Sequence, residues 1–321
     1  MLSDMKTSHG LFLLSLLLAP TLHAQTPAES AVAHAYQMEQ QGQYIEVITS
    51  MRQLIESNTL HGRDLGRAWQ VLALAQLDRG DFASAQSPLE RAVAILKSSP
   101  DPSDYPVALT SLSDLYFLTR QPTTAIDLRQ RALHLFEQLG DHREIALTCN
   151  RLATVYLQSG NKKLGRKYLD RALQEMQLAA GLNESDRADI YTDEAAFAHA
   201  DRNWPVATQR LQQAIQLLRS QFGETYEGVG WDRILLGQVY TAAGNLPVAE
   251  REMQQGLTDL DQTVGRSSAH FLQAQIAYAG LLDKRGDHDA ASRLRTAAEG
   301  GLSPSNRTSC YGCTISVDAL R

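Results

Sequence analysis

The chain has 321 residues, 21% of them charged and 7% aromatic, with a formal net charge of −6 and three cysteines. A mildly acidic balance without clustered Lys and Arg excludes wrapping of a nucleic-acid backbone. Three Cys are too few for a disulfide-built scaffold or a Cys-rich metal domain, and singly scattered Gly and Pro exclude collagen and low-complexity sequence.

Residues 1–24 read as an export signal: Lys6 near the start, an apolar run from Leu11 to Leu18, then small and uncharged residues up to Ala24. Cleavage after Ala24 would leave Gln25 first. The run is shorter than the roughly 20 residues a bilayer span needs, and no later run approaches that length. The mature chain is therefore expected to lack a transmembrane segment and to be periplasmic or secreted.

From there on the chain is periodic. Turns recur at positions 42, 80, 120, 160, 202, 244 and 286, five of them marked by Gly42, Gly80, Gly160, Gly244 and Gly286, and two carrying Arg120 and Arg202 instead. The steps are 38, 40, 40, 42, 42 and 42 residues, one unit repeated seven times. Seven residues before each turn stand Ala35, Ala73, Ser113, Ala153, Ala195, Gly237 and Ala279. Five after it stand Val47, Ala85, Ala125, Gly165, Ala207, Ala249 and Ala291, and twelve after it Leu54, Ala92, Ala132, Ala172, Ala214, Gly256 and Ala298. Nineteen of these 21 positions are Ala, Gly or Ser, types that make up 84 of the 321 residues. Small side chains at fixed places let two helices approach closely, and the spacings of five, nine and twelve keep one face of a helix.

In chain order, the first unit departs most, with Val47 and Leu54 where small residues belong, and is expected to act as a cap. In the second, Trp69 takes a core position, Asp81 is a candidate N-cap, and Pro88 predicts a kink or a late start of the second helix. The third and fourth units are regular; Pro122 opens a helix where no amide is missed, and Asn161 is a further N-cap. The fifth has Glu194 and Ala198 where large apolar residues stand elsewhere, which predicts looser packing. Asn203, Asn245 and Asp287 are N-caps of the last three second helices. Cys149 falls inside a helix and reads as a buried free thiol.

The unit resembles the tetratricopeptide repeat. Trp69, Leu72, Ala73, Ala85, Leu89 and Ala92 match its pattern in one unit; Leu152, Ala153, Tyr156, Gly160, Leu169 and Ala172 in another; Leu236, Gly237, Tyr240, Gly244, Ala249 and Met253 in a third. The basic repeat has 34 residues, and the 40–42-residue step here is similar to the longer variety of kinesin light chains. The resemblance implies an all-α fold, a right-handed α-solenoid of about seven antiparallel helix pairs over residues 25–299. It also implies a concave face, lined by the first helix of each unit, that meets a peptide or protein partner. Carried over by position, that face includes Arg67, Gln70, Asp114, Asn150, Thr154, Gln158, Asp189, Asp193, Trp231 and Gln238. It mixes both signs of charge and lacks the Lys and Asn set with which chaperone adaptors of this family hold a peptide carboxylate. Trp231 reads either as an exposed binding anchor or as a side chain packed between units.

Residues 300–321 form a short non-helical tail in this reading, because Gly300-Gly301-Leu302-Ser303-Pro304 should break a helix. Cys310 and Cys313 within it are expected to join in a disulfide if the chain is exported. Thiol–disulfide exchange is the alternative, although the strand-like Thr314–Ala319 that follows offers no helix N-terminus to activate a thiol. Two Cys do not make a zinc site. The nine His are scattered, and neither a phosphate loop nor a nucleophile elbow is present, so no catalytic residues, metal or cofactor are expected. The reading is an exported, non-enzymatic interaction scaffold; a self-assembling subunit of an envelope complex is the third possibility.

Overall fold

The structure is a computed structural model, which describes residues 27–40 and 43–302. Among the described residues there are 14 helices and no strand. The export segment, Cys310, Cys313 and the end of the tail lie outside the described residues.

The helices pair as the period requires. The first pair is α1 (Pro27–Gln40) with α2 (Tyr44–Glu56), the second α3 (Gly62–Asp78) with α4 (Phe82–Leu96), and the third α5 (Asp104–Leu118) with α6 (Pro122–Leu139). The fourth joins α7 (His142–Gln158) and α8 (Lys162–Leu178), the fifth α9 (Glu184–Ala200) and α10 (Trp204–Phe222). The sixth joins α11 (Glu227–Ala242) and α12 (Leu246–Thr263), the seventh α13 (Ala269–Arg285) and α14 (His288–Gly301). Packing is densest within pairs and continues from each second helix to the next first helix, so the core runs along the array rather than gathering at one centre. Helix α1 leans on α3 as much as on α2, consistent with an end cap.

The small-residue positions are where the rods meet. Of the 21, all but Leu54 are buried. A Cβ on Gly165 would lie 2.9 Å from the Ala153 carbonyl, and Ser113 uses the same closeness to donate its hydroxyl to the Ala125 carbonyl at 2.8 Å. The turns share one hydrogen bond. The amide of Asp81 donates to the Gln76 carbonyl, and the same five-residue step back recurs at Gln121, Asn161, Asn203, Asn245 and Asp287, at 2.8–3.0 Å. That bond closes a helix whose next residue is left-handed. Gly80, Gly160, Gly244 and Gly286 supply the positive φ, and Arg120 (φ 61°) and Arg202 (φ 58°) adopt it without glycine. Asp81, Asn161 and Asn203 then cap the second helix with a side-chain oxygen, while Asn245 and Asp287 occupy the cap position without that bond.

Three local expectations change. Helix α4 starts on time at Phe82 and runs through Pro88. The proline removes the amide that would bond the Ser84 carbonyl. With its amide oriented by its neighbours, Gln76 on α3 donates to that carbonyl at 3.1 Å and accepts from Arg52 at 3.3 Å. The fifth unit is tight rather than loose: Phe197, fully buried, reaches across to Gly165 and packs with Ala153 and Leu169, supplying the bulk missing at Glu194 and Ala198. Helix α14 continues through Gly300 to Gly301 instead of breaking there, and Leu302 packs on Leu272 and Ile276. Cys149 is buried and free, and burial pushes its thiol up to about 12.

Candidate functional site

The odd-numbered helices from α3 to α11 carry the residues assigned to the concave face, and the structure sorts these into three groups. Gln70, Asn150, Thr154, Asp193 and Trp231 are buried. Their polar atoms join one unit to the next: Gln70 donates to Ser111 at 2.9 Å and Asn150 to Asp193 at 2.6 Å, across 41 and 43 residues. Thr192 continues the ladder by donating to Asp232 at 3.1 Å, across 40 residues. Thr154 turns inward, its hydroxyl on the Asn150 carbonyl at 3.2 Å. Arg67, Asp114 and Asp189 stay partly in solvent and are ion-paired, with Asp104 at 3.2 Å, with Arg129, and with Arg151 at 3.7 Å, respectively. Gln158 is exposed, and Gln238 is half-buried with its side-chain oxygen unpaired.

The superhelix brings in residues that no local pattern marked. A cleft between α9, the C-terminal half of α10, α11 and the start of α13 is walled by Asp189, Tyr226, Glu227, Trp231, Asp232 and His270, with a volume of about 50 Å³. At ~10–15 Å³ per water it has room for a few waters or one small polar group. Trp231 is 4% exposed and its indole N–H has no partner; the ring lies 5.8 Å from that of His270. Trp204, by contrast, packs on His199 at its turn, with ring centroids 5.0 Å apart.

The electrostatics of this region are one-sided. Burial raises Asp232 and Asp193 well above the usual carboxylate range, and repulsion from Asp189 adds to it, despite hydrogen bonds from Thr192 to the first and from Asn150 to the second. Asp189 keeps 39% of its side chain in solvent, yet the crowding helices push it up to about 6 against the pull of Arg151. Burial alone would raise Glu227 as well; the hydrogen bond and charge of His270 outweigh it and hold Glu227 below its usual range. The same field reaches across the groove. Glu227 and Tyr226 add to the raising of Tyr44, and Glu227 and Asp114 add to that of Asp78, which burial and its contact with Glu39 raise first. Charges of the sixth unit thus act on groups of the first and second units, and their sign is acidic. The cations carried on the first helices are largely spent on their own partners: Arg63 binds Asp101 and Asp104, and Arg143 binds Glu144 and Asp186.

The paired-helix array superposes on solved proteins. A tetratricopeptide repeat protein from Parabacteroides merdae superposes with a TM-score of 0.53 at 11% identity, covering 91% of this chain and 97% of that one. The chain has the tetratricopeptide-repeat fold. A Rap protein complexed with Competence and Sporulation Factor superposes on this tetratricopeptide solenoid with a TM-score of 0.59 at 10% identity, covering 85% and 97%. BtubC from P. vanneervenii does so with 0.51 at 20% identity, covering 89% and 97%. No family model and no curated protein matches the sequence. Among the described residues, no group of three or more His, Cys, Asp or Glu is placed to hold a metal ion, and no helix is long and apolar enough to cross a membrane.

Proposed function

We propose that this chain is an exported, non-catalytic scaffold that holds a peptide or protein partner on the concave face of its solenoid. The observation that carries the reading is the division of labour on the inner helices. One set of polar residues is consumed in the ladder between units, while Gln158 and part of Asp189 stay in solvent. A surface made by stacked pairs offers length and shape rather than a reaction centre. The Rap protein of similar fold was crystallised with a bound factor, which supports the groove as a place for a ligand. Export rests on the apolar run Leu11–Leu18 and the small residue Ala24; amino-terminal sequencing of the secreted or periplasmic protein should begin at Gln25, and an intact Met1 would end that part of the reading.

Site-specific photocrosslinking tests the groove. A photoreactive residue at Gln158 or Gln238 should capture partner in the native host far more efficiently than one at Arg251, which stands exposed on α12. Capture dominated by Arg251 would place the partner on the opposite face and refute the proposal.

A further inference from the structure

Resting on the groove reading above, we infer that the cleft between α9, α11 and α13 receives a cationic side chain, the guanidinium of Arg or the ammonium of Lys, from an extended peptide lying in the concave channel. Three carboxylates line it, Asp189, Glu227 and Asp232, and the charge of Asp193 acts on Asp232. The basic groups that pair with them stand at a distance: Arg151 is 3.7 Å from Asp189 and His270 is 3.7 Å from Glu227. Arg151 lies beyond hydrogen-bond distance of Asp189, so lone pairs of that carboxylate remain available to a closer donor, while His270 already engages Glu227. Asp232 is 2% exposed and is served by a neutral hydroxyl alone among the hydrogen bonds it makes. A carboxylate so placed gains most from an incoming positive charge, since buried charges persist where they are paired.

A second, independent feature points to the same occupant. Trp231, nine-tenths buried, lines this cleft with an indole N–H that no protein group accepts. A buried unpaired donor costs roughly as much as a lost hydrogen bond. A peptide entering the channel supplies the missing acceptor, its backbone carbonyl, and the cation beside that carbonyl meets both the carboxylates and the indole face. An anionic ligand would meet Glu227 with like charge and would make ionisation of Asp189 and Asp232 harder still, and the small volume excludes a large apolar group.

The test is selection from an amidated, acetylated random decapeptide pool on the immobilised full chain, read by mass spectrometry. Retained peptides should be enriched about tenfold or more in Arg or Lys at one position relative to neutral residues, and Asp189→Asn and Glu227→Gln should each reduce that preference to about twofold or less. A circular dichroism spectrum matching wild type qualifies each variant, and the two variants stand in for each other if one fails to fold. Retention of peptides without a basic preference, or a preference that both folded variants keep, overturns the assignment and leaves the groove reading standing. Retention of no peptide at all overturns both.

Discussion

Gly256 and Gly280 receive the same substitution in opposite surroundings, which isolates the geometry that holds this fold together. Both lie inside helices, α12 and α13. Replacing Gly by Ala in a helix interior gains about 0.8–1.0 kcal/mol through backbone entropy. At Gly280 an added Cβ meets nothing within 4 Å, so Gly280→Ala should keep that gain. At Gly256 the Cβ would lie 2.6 Å from the Gly230 carbonyl and 2.9 Å from Ile234, where ordinary contact begins at 3.4 Å. The carbonyl belongs to helix α11 and cannot swing aside, so the two helices must part by several tenths of an ångström. Overpacking of this kind costs about 1–3 kcal/mol. The propensity gain is common to both sites and cancels in the comparison, leaving Gly256→Ala less stable than Gly280→Ala by about 1–3 kcal/mol. Urea unfolding followed by circular dichroism measures the difference, and the fluorescence of Trp231, on α11, should report the loss at Gly256 first. Equal shifts in the same direction would show that α11 and α12 do not touch where the period places them.

Three further outcomes follow from single contacts. Gln76→Leu should destabilise by about 1–3 kcal/mol, because it strands the Ser84 carbonyl that Pro88 already left without its helical donor; in a Pro88→Ala background, where that donor returns, the cost of Gln76→Leu should shrink, and an unchanged cost in the double-mutant cycle would dissociate the two residues. Arg202→Gly should stabilise by roughly 0.5–1 kcal/mol by relieving a left-handed backbone at φ 58°, seen as a higher melting temperature; a lower one would mean that the Arg side chain contributes more than its strain costs. Asp189, raised to about 6 by burial from an ordinary 3.8, holds its proton better folded than unfolded, so its contribution to stability is present below about pH 4 and is lost as pH rises through about 6. The urea midpoint of Asp189→Asn should therefore gain on wild type between those values and run parallel above them; a pH-independent gap would show that the carboxyl is not perturbed.

The period, the pairing and the crossing points were legible because each is local. A small residue seven before a turn and another five after it face each other across a single hairpin, and Ala153 with Gly165 is enough to reveal that contact. Cap residues such as Asp81 and Asn161 were legible for the same reason. What escaped depends on distance along the chain. Phe197 fills the gap at the fifth unit from a position that no repeat pattern marks, and Gln76 rescues Pro88 from the neighbouring helix. Gln70, Asn150 and Asp193 fell at positions a groove residue takes, but one unit's step brings each to a partner on the first helix of a neighbouring unit, where both are buried. The acidic channel is the extreme case. Tyr44 and Asp78 feel the charge of Glu227 only because small rotations between successive pairs accumulate around the superhelix, and no window of a few tens of residues contains that sum.

That accumulation also explains why the candidate site lies where it does. Along the ladder, neutral donors and acceptors satisfy each other between units, as at Gln70 and Ser111, and the array closes without net charge. At α9 and α11 the ladder ends in carboxylates instead. Asp193 keeps one oxygen unpaired, and Asp232 is bonded by a hydroxyl shared between its two oxygens. Burial works against both charges, Asp189 raises both, and Asp193 raises Asp232 further. Asn in their place would bond the same neighbours without the repulsion, so the carboxylates at this point oppose folding rather than serve it. Groups whose ionisation is disfavoured together, beside a cleft and an unpaired indole N–H, gain what they lack when a cation enters. The least favourable stretch of the inner surface is thus the one whose energy a ligand of the right charge would lower most.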